Sequence, residues 1–479
     1  MIKLHKQILI RIVIPTVTFC TFIPNDESNI EHFHSIKSSF NQNKFEYIYN
    51  QLSSQVQNQL NYNEFKETLQ TIKQRTGPIQ YWSYSTPNPI YPTVIVAFQN
   101  NLAPGLITWQ YEDTKFKSFI INDYSQPSFL EFIMNNPKRT AMTIIADDQP
   151  LLKYHGNRFQ DLMSVFKIPI AIEFSRQVSQ GLIDPDKWIS IQELSKFYIE
   201  GFDISHQLFL ENWEKMGKIQ DGKVKLIEIA NGMIALSSNA NTEFLQTLLT
   251  LELIQKTINK LKLKQTTSYY LNSFLLSFIN NKNLIRDQYI TEIKSYTEES
   301  IKYKSNEIHN LLIQNGQEAQ DLLKRGKELL DGEVLSIQAQ LFTKSTTNSY
   351  AKMLNKLNKQ TIFDQQFYKV FYPLIGYVSL QNPALANIYK HVGIKGGSSA
   401  YYKQKECVLS LAYFYELKKK NSFNKVSIAL FTENLDYETE YVPLISQFNY
   451  FTGLLGLNQD YLLAIANQLQ RKRSNKKQQ

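Results

Sequence analysis

Residues 140–174 constrain the fold more than any other stretch of this chain. Thr140–Ala146 (TAMTIIA) and Leu151–Tyr154 are strand-like runs separated by the turn-prone Asp147-Asp148-Gln149-Pro150. The apolar run Ile168–Phe174 follows them inside a predicted helix from Met163 to Ser179. A hairpin followed directly by a buried helix puts the helix start at the foot of a sheet.

That helix start carries Ser164-Val165-Phe166-Lys167. A serine hydroxyl is a weak nucleophile unless a base stands within hydrogen-bonding reach. Residues three apart share a helix face, so Lys167 lies beside Ser164 and is a candidate to take its proton. The positive end of the helix favours negative charge on a reacting oxygen there. The four-residue pattern alone says little, because it recurs at Ser349–Lys352, Ser422–Lys425 and Ser474–Lys477. Only the first copy has the hairpin before it and the buried helix after it.

Two later segments follow in order. Ser237-Ser238-Asn239 sits in a stretch running from Gly232 to Leu245, and Lys395-Gly396-Gly397-Ser398 ends a short apolar strand that starts near His391. Taken singly, the first of these can also be read as a helix cap, and the second as a plain turn with a sheet-edge charge. Ser-x-x-Lys, Ser-x-Asn and Lys-x-Gly in that order resemble the penicillin-recognising serine hydrolases, the class A β-lactamases and D,D-peptidases. The flanking text Met163–Ala171, Leu236–Leu245 and Ser345–Leu354 is similar too, and the resemblance spans roughly residues 135–470.

The resemblance implies an α+β fold: an antiparallel sheet with flanking helices beside an all-helical lobe, with the site between them. It implies Ser164 as nucleophile, Lys167 as base in its neutral form, and Ser237 as proton relay to the leaving nitrogen. Asn239, Lys395, Gly396, Gly397 and Ser398 would bind the substrate, and the backbone N–H groups of Ser164 and Ser398 would form the oxyanion hole. The expected partner is a β-lactam or a peptidoglycan-derived peptide, with no cofactor and no metal.

Three positions depart from the family pattern. Ser238 stands where class A has aspartate, and Gly396 where threonine or serine is usual. No Glu-x-x-Leu-Asn is present; the nearest segment, Ser268-Tyr269-Tyr270-Leu271-Asn272, has serine in place of the glutamate that activates the deacylating water. Glu292, Glu298 and Glu299 are the remaining candidates for that base. The expected result is a slow second step.

The 479 residues fit two domains. Residues 1–24 read as a signal peptide: Lys3, His5, Lys6 and Arg11 precede an apolar run, Ile12–Ile23, too short for a comfortable membrane span. The expected destination is therefore periplasmic or secreted. Phe19 occupies the place where a lipidated-cysteine signal wants a small residue, which argues against Cys20 as a lipid anchor. Cys407 then has no partner for an internal disulfide, and its apolar neighbours point to a packed core residue. The histidines are scattered rather than clustered with cysteine at metal-ligand spacing, against a metal-dependent hydrolase.

A net charge of +9 owes much to the two ends. The tail 471–479 is a basic run, expected to be a solvated, disordered end available to anionic wall polymer or lipid. Basic residues interleaved with aromatics on a folded face are missing, which argues against nucleic acid as partner. Residues 29–125 read as a small accessory α+β domain, helices and then strands, similar to the nuclear-transport-factor type, with a boundary near Tyr124–Pro127. Residues about 280–336 are polar and helical in pattern, a predicted insertion where the family carries its Ω loop. A pair of amphipathic helices over or beside the cleft is expected. The activities left open are β-lactam hydrolysis, D,D-peptidase chemistry, and wall binding without turnover.

Overall fold

The structure, a computed structural model, describes residues 27–86, 92–112, 115–122, 128–280, 282–329, 331–381, 383–419 and 421–478. The predicted leader and the boundary near Tyr124–Pro127 lie outside the described residues. From Glu27 the apolar spacing folds into the helices Glu27–Asn41, Phe45–Tyr49, Ser54–Gln59 and Tyr62–Thr76. The last starts at a capping box in which Asn61 and Glu64 exchange bonds, and it stops at Gly77, whose φ of +73° a side chain would resist. Four antiparallel strands follow: β1 (Ile79–Thr86), β2 (Thr93–Phe98), β3 (Pro104–Glu112) and β4 (Lys115–Asn122).

Strand period assigns the two faces of β2 to different cores. Val94, Val96 and Phe98 pack with Phe33, Ile36, Phe40 and Trp109 beneath the amino-terminal helices. Ile95 and Ala97 face the other way, into a core built by Phe451, Leu454, Leu455 and Tyr461 of the carboxy-terminal helices Val442–Leu457 and Gln459–Gln478. Tyr461 donates its hydroxyl to Leu102 O (3.2 Å) and Asn458 its amide to Trp82 O (3.1 Å), tying the two together. The basic run from Arg471 continues the last helix to Gln478, where a solvated end without structure was expected.

The predicted hairpin forms as β5 (Thr140–Ala146) and β6 (Gln149–Tyr154), turning through Asp147 and Asp148 at φ of +43° and +71°. Two positive φ values in a two-residue connection match the twist of the flanking strands. The chain then passes through β7 (Phe159–Asp161) into the buried helix. Later come β8 (Trp188–Ser190), β9 (Ile219–Gln220) and β10 (Lys223–Lys225), which make a small sheet, and β11 (Lys344–Thr346), which pairs with β7. Finally β12 (Tyr389–Ser399), β13 (Cys407–Leu417) and β14 (Lys425–Leu435) complete a five-stranded antiparallel sheet in the order β12-β13-β14-β5-β6.

Each face of this sheet has its own core. Leu409, Leu411, Tyr413 and Tyr415 point to the carboxy-terminal helices, whereas Val408, Ala412 and Phe414 point to the helical lobe. Cys407 is fully buried, and burial pushes its thiol up to about 12, as suits a packed residue rather than a reactive one. The architecture is thus the mixed helix-and-sheet arrangement that the motifs implied.

The segment 280–336 departs from expectation. It forms Arg286–Lys294, Glu298–Gln314, Gln317–Lys324 and the start of Gly332–Leu341, more helices than the expected pair. Ile290, Ile293, Ile301, Leu312, Leu322 and Val334 bury their side chains in the same core as the helix that follows Ser164. The apolar residues within the polar pattern are many enough to seat the segment in the lobe rather than leave it projecting.

Candidate active site

Ser164 lies in a short 3-10 turn, Met163–Phe166, that feeds the helix Lys167–Ser179. Pro169 falls in the first turn of that helix, where a missing N–H costs nothing. Met163 holds φ at +42°, a conformation a non-glycine side chain adopts only when its surroundings impose it. The surroundings are β12 and β13. Ser410 Oγ donates to Leu162 O (2.7 Å) and Gly397 lies directly against the turn. A Cβ on Gly397 would stand 2.6 Å from Leu162 O and 2.7 Å from Ser164 N. The third motif therefore touches the backbone of the first, and only glycine fits.

Lys167 is wholly buried, and its amine is held by the second motif. Nζ lies 2.6 Å from Ser237 O, 3.1 Å from Ser237 Oγ and 2.9 Å from Asn239 Oδ1. Ser237 itself sits at φ of +65°, which turns both its carbonyl and its hydroxyl toward the amine. Lys395 arrives from β12, also buried, with Nζ 3.1 Å from Ser237 Oγ and 2.9 Å from Gly396 O. Ser164, Lys167, Ser237, Asn239, Lys395 and Gly397 thus meet at one place. Ser398 follows on the same strand, its hydroxyl near the buried phenol of Tyr441.

Proton counting explains the arrangement. Two of the three partners of Lys167, a backbone carbonyl and an amide oxygen, only accept. An ammonium would give each of the three partners one N–H bond, whereas a neutral amine would give its two N–H bonds to these two and take the Ser237 hydroxyl on its lone pair; that hydroxyl accepts from Lys395 in either state. Electrostatics favour the neutral amine. Burial pushes Lys167 well below the ordinary lysine range, the Lys395 ammonium pushes it further, and only Asp203 pulls it back. Burial alone brings Lys395 down to about 7.

Two members of the site carry no motif letter. Asp203 is buried; its Oδ2 accepts from Ala240 N (2.7 Å) and its Oδ1 from His206 N (3.2 Å). His206 is buried as well, with Nδ1 3.1 Å from both Ser238 Oγ and Asn241 Oδ1, and desolvation lowers its pKa. Ser238, rather than its neighbours, is the N-cap of the helix Asn239–Leu249, its hydroxyl accepting from Asn241 N (3.2 Å). An acidic residue just before an apolar-periodic run is a helix-start signal, and Asp203 before Ile204–Lys215 was legible as that much.

Two of the three glutamates considered as deacylating bases have partners of their own. Glu292 takes bonds from Lys282 (2.9 Å) and the Tyr296 hydroxyl (3.1 Å) on the inserted helices, and Glu298 takes the Thr267 hydroxyl. Glu299 opens the helix Glu298–Gln314 as an exposed residue. Ser268 Oγ receives the Gln265 amide at 3.0 Å. Four residues on, Asn272 and Ser273 give their N–H groups to the fully buried Glu243 (2.5 and 2.9 Å), which also meets His309 Nδ1 at 2.9 Å.

The inserted segment also touches residues outside its own core helices. On one side Gly326 packs on Ile199. On the other, a Cβ on Gly332 would stand 2.6 Å from Tyr402 O, and Lys405 N donates to Ser336 Oγ (3.2 Å) in the β12–β13 connection.

Comparison with protein families matches residues 130–387, just over half of the chain, to the beta-lactamase enzyme family. The match takes in Ser164, Lys167 and the second motif and ends before Lys395. Among solved structures, a class A beta-lactamase from Bacteroides cellulosilyticus is 16% identical, with 70% of this chain and 97% of that chain covered and a TM-score of 0.43. A beta-lactamase from Sphaerobacter thermophilus is 14% identical, with coverages of 69% and 97% and a TM-score of 0.42. One from Francisella tularensis is 15% identical, with coverages of 71% and 99% and a TM-score of 0.41. No curated protein matches the chain.

Proposed function

Because the chain belongs to the beta-lactamase enzyme family, we propose that it is an exported serine hydrolase that opens β-lactams or related amides through an acyl-enzyme on Ser164. In this reading the Ser164 hydroxyl attacks the carbonyl carbon while the neutral amine of Lys167 takes its proton. The N–H groups of Ser164 and Ser398 face the developing oxyanion, a contribution worth about 10²–10³ in rate per donor. Ser237 hands a proton to the leaving nitrogen, and Lys395 draws the substrate carboxylate. Asn239 keeps its amide N–H groups for the substrate, and Gly396 and Gly397 let the strand lie close to it.

The observation that carries this reading is the shared hydroxyl: Ser237 Oγ stands 3.1 Å from the amine of Lys167 and 3.1 Å from that of Lys395. That is the geometry of a relay between a buried base and a buried cation. Acylation uses only these groups. Deacylation needs a positioned base for water, and the place of the family glutamate holds Ser268. Losing such a base costs about 10²–10⁴ in rate, so a burst followed by slow turnover is the expected course.

The same serine favours, as second reading, a D,D-peptidase-like penicillin-binding protein that acts on peptidoglycan peptides. The amino-terminal residues 29–125 take an accessory role in either case, and the basic tail touches anionic wall polymer or membrane surface. Mass spectrometry after exposure to penicillin tests the common step. A penicillin-sized addition should map to the Ser164 peptide and disappear in Ser164→Ala. No adduct with several β-lactams and D-Ala-D-Ala mimics would leave a wall-binding protein without turnover.

A further inference from the structure

The helix Asn239–Leu249 begins where Lys167 is seated, and its start is built in an unusual way. First-turn N–H groups have no acceptor within their own helix. Here Asn241 N goes to Ser238 Oγ (3.2 Å) and Ala240 N to Asp203 Oδ2 (2.7 Å). Asp203 belongs to a different element. It is also the N-cap of Ile204–Lys215, through Oδ1 and His206 N (3.2 Å). One carboxylate, 2% exposed, thus caps two helices. The residue preceding Ala240 is Asn239, and with Ser237 it supplies all three bonds to the Lys167 amine.

We propose that Asp203 is a positioning residue for the acyl-transfer reaction, fixing the Ser237–Asn239 turn, and so the seat of Lys167, from a neighbouring helix start. The proposal rests on the serine-hydrolase reading given above. Capping by a charged acceptor is stronger than by a hydroxyl, and buried charge is tolerated only when it is paired in this way. His206 completes the clamp: its Nδ1 meets Ser238 Oγ and Asn241 Oδ1, so the two helix starts are joined through the side-chain network as well. The charged and titratable groups around the amine are Lys395 from β12, Asp203 below it, and His206, Tyr198 and Glu200 around Asp203. Asp203 opposes the push of Lys395 on Lys167, so its second effect is to keep the amine protonatable.

Two measurements test this on the full chain. In Asp203→Asn the charge is lost, and an amide N–H faces one of the two backbone N–H groups. The Lys167 signal in ε-13C-lysine NMR, assigned with Lys167→Arg, should titrate lower by about one pH unit. Acylation by penicillin should slow by about tenfold or more as the turn shifts, and the acid limb of its pH profile should move down with the Lys167 midpoint. Adding Ser238→Asp returns a carboxylate to the same helix start and should recover both readouts. Asp203→Ser, which keeps an N-cap acceptor for His206, takes the place of Asp203→Asn if that variant does not fold.

A variant that melts earlier but leaves the Lys167 midpoint and the acylation profile unmoved would overturn the proposal, since a purely structural cap predicts that pattern. If penicillin does not acylate the unaltered protein, the hydrolase reading fails and the lysine titration alone decides the part played by Asp203.

Discussion

Burial of Lys395 makes the stability of this protein depend on pH in a specific direction. Its amine drops to about 7 in the folded chain from an ordinary 10.5. Between those values the unfolded chain holds a proton that the folded chain has released, so stability rises with pH across the window and levels off below it. Lys167, lowered by the same cause, adds to the slope. The melting temperature should therefore climb from pH 7 to pH 9, before the buried tyrosine phenols, raised by burial, begin to oppose it, and Lys395→Met should flatten the climb. An unaltered slope in that variant, by circular dichroism, would mean that other groups dominate. At this scale the site was largely legible. Ser164, Lys167, Ser237, Asn239 and Lys395 sit in three short motifs that stood out through their order and their resemblance to a known family, and the fold brings the three motifs together. Asp203 was not, because a buried cap and an ordinary surface cap look alike until the second helix that borrows it is known.

Among the elements, β12 shows how pairing overrides a local pattern. The glycine pair suggested the end of a short strand, yet β12 runs from Tyr389 to Ser399, with Gly396 opposite Leu411 and Gly397 opposite Ser410. The partner strand supplies the ladder, and the missing side chains leave room for the Ser164 turn. Gly397→Ala would force backbone atoms of Leu162 and Ser164 aside. Acylation should fall by about 10² as the nucleophile is displaced, measured against an unchanged far-ultraviolet spectrum.

The inserted helices were visible as helices but not in number or place, since their docking rests on apolar residues dispersed through a polar pattern, joined by buried polar partners that sequence does not pair. Glu243 is one such partner: it meets His309 of the inserted helix Glu298–Gln314 and also accepts from Asn272 N, Ser273 N and Ser273 Oγ of the preceding helix. Glu243→Ala leaves several buried donors unmatched and should lower stability by about 3 kcal/mol. Urea unfolding checks this, and a loss under ~1 kcal/mol would argue that water replaces the carboxylate.

For the whole molecule, the sequence separated the amino-terminal helices and strands from the rest by their own apolar periodicity. It could not reveal that β2 serves two cores. Alternation along Thr93–Phe98 is invisible when both faces are apolar, as the run of six buried residues shows. Removing residues 27–126 should expose Phe451, Leu454 and Leu455, so the shortened chain should bind a hydrophobic dye that the full chain ignores.

The same strand has a consequence for how the protein comes apart. A wall common to two rooms cannot fall in one of them alone. Loss of Ile95 and Ala97 from the second core withdraws part of the packing beneath Gly453, whose missing side chain already lets Ile95 approach closely. Calorimetry should then record a single heat-absorption peak, with van't Hoff and calorimetric enthalpies in agreement, across an architecture that reads on paper as two domains. Two resolved peaks would show that the accessory part melts on its own. With one peak, a destabilising change near Trp109 would be felt at Ser164 as a smaller folded population, without any atom of the site having moved.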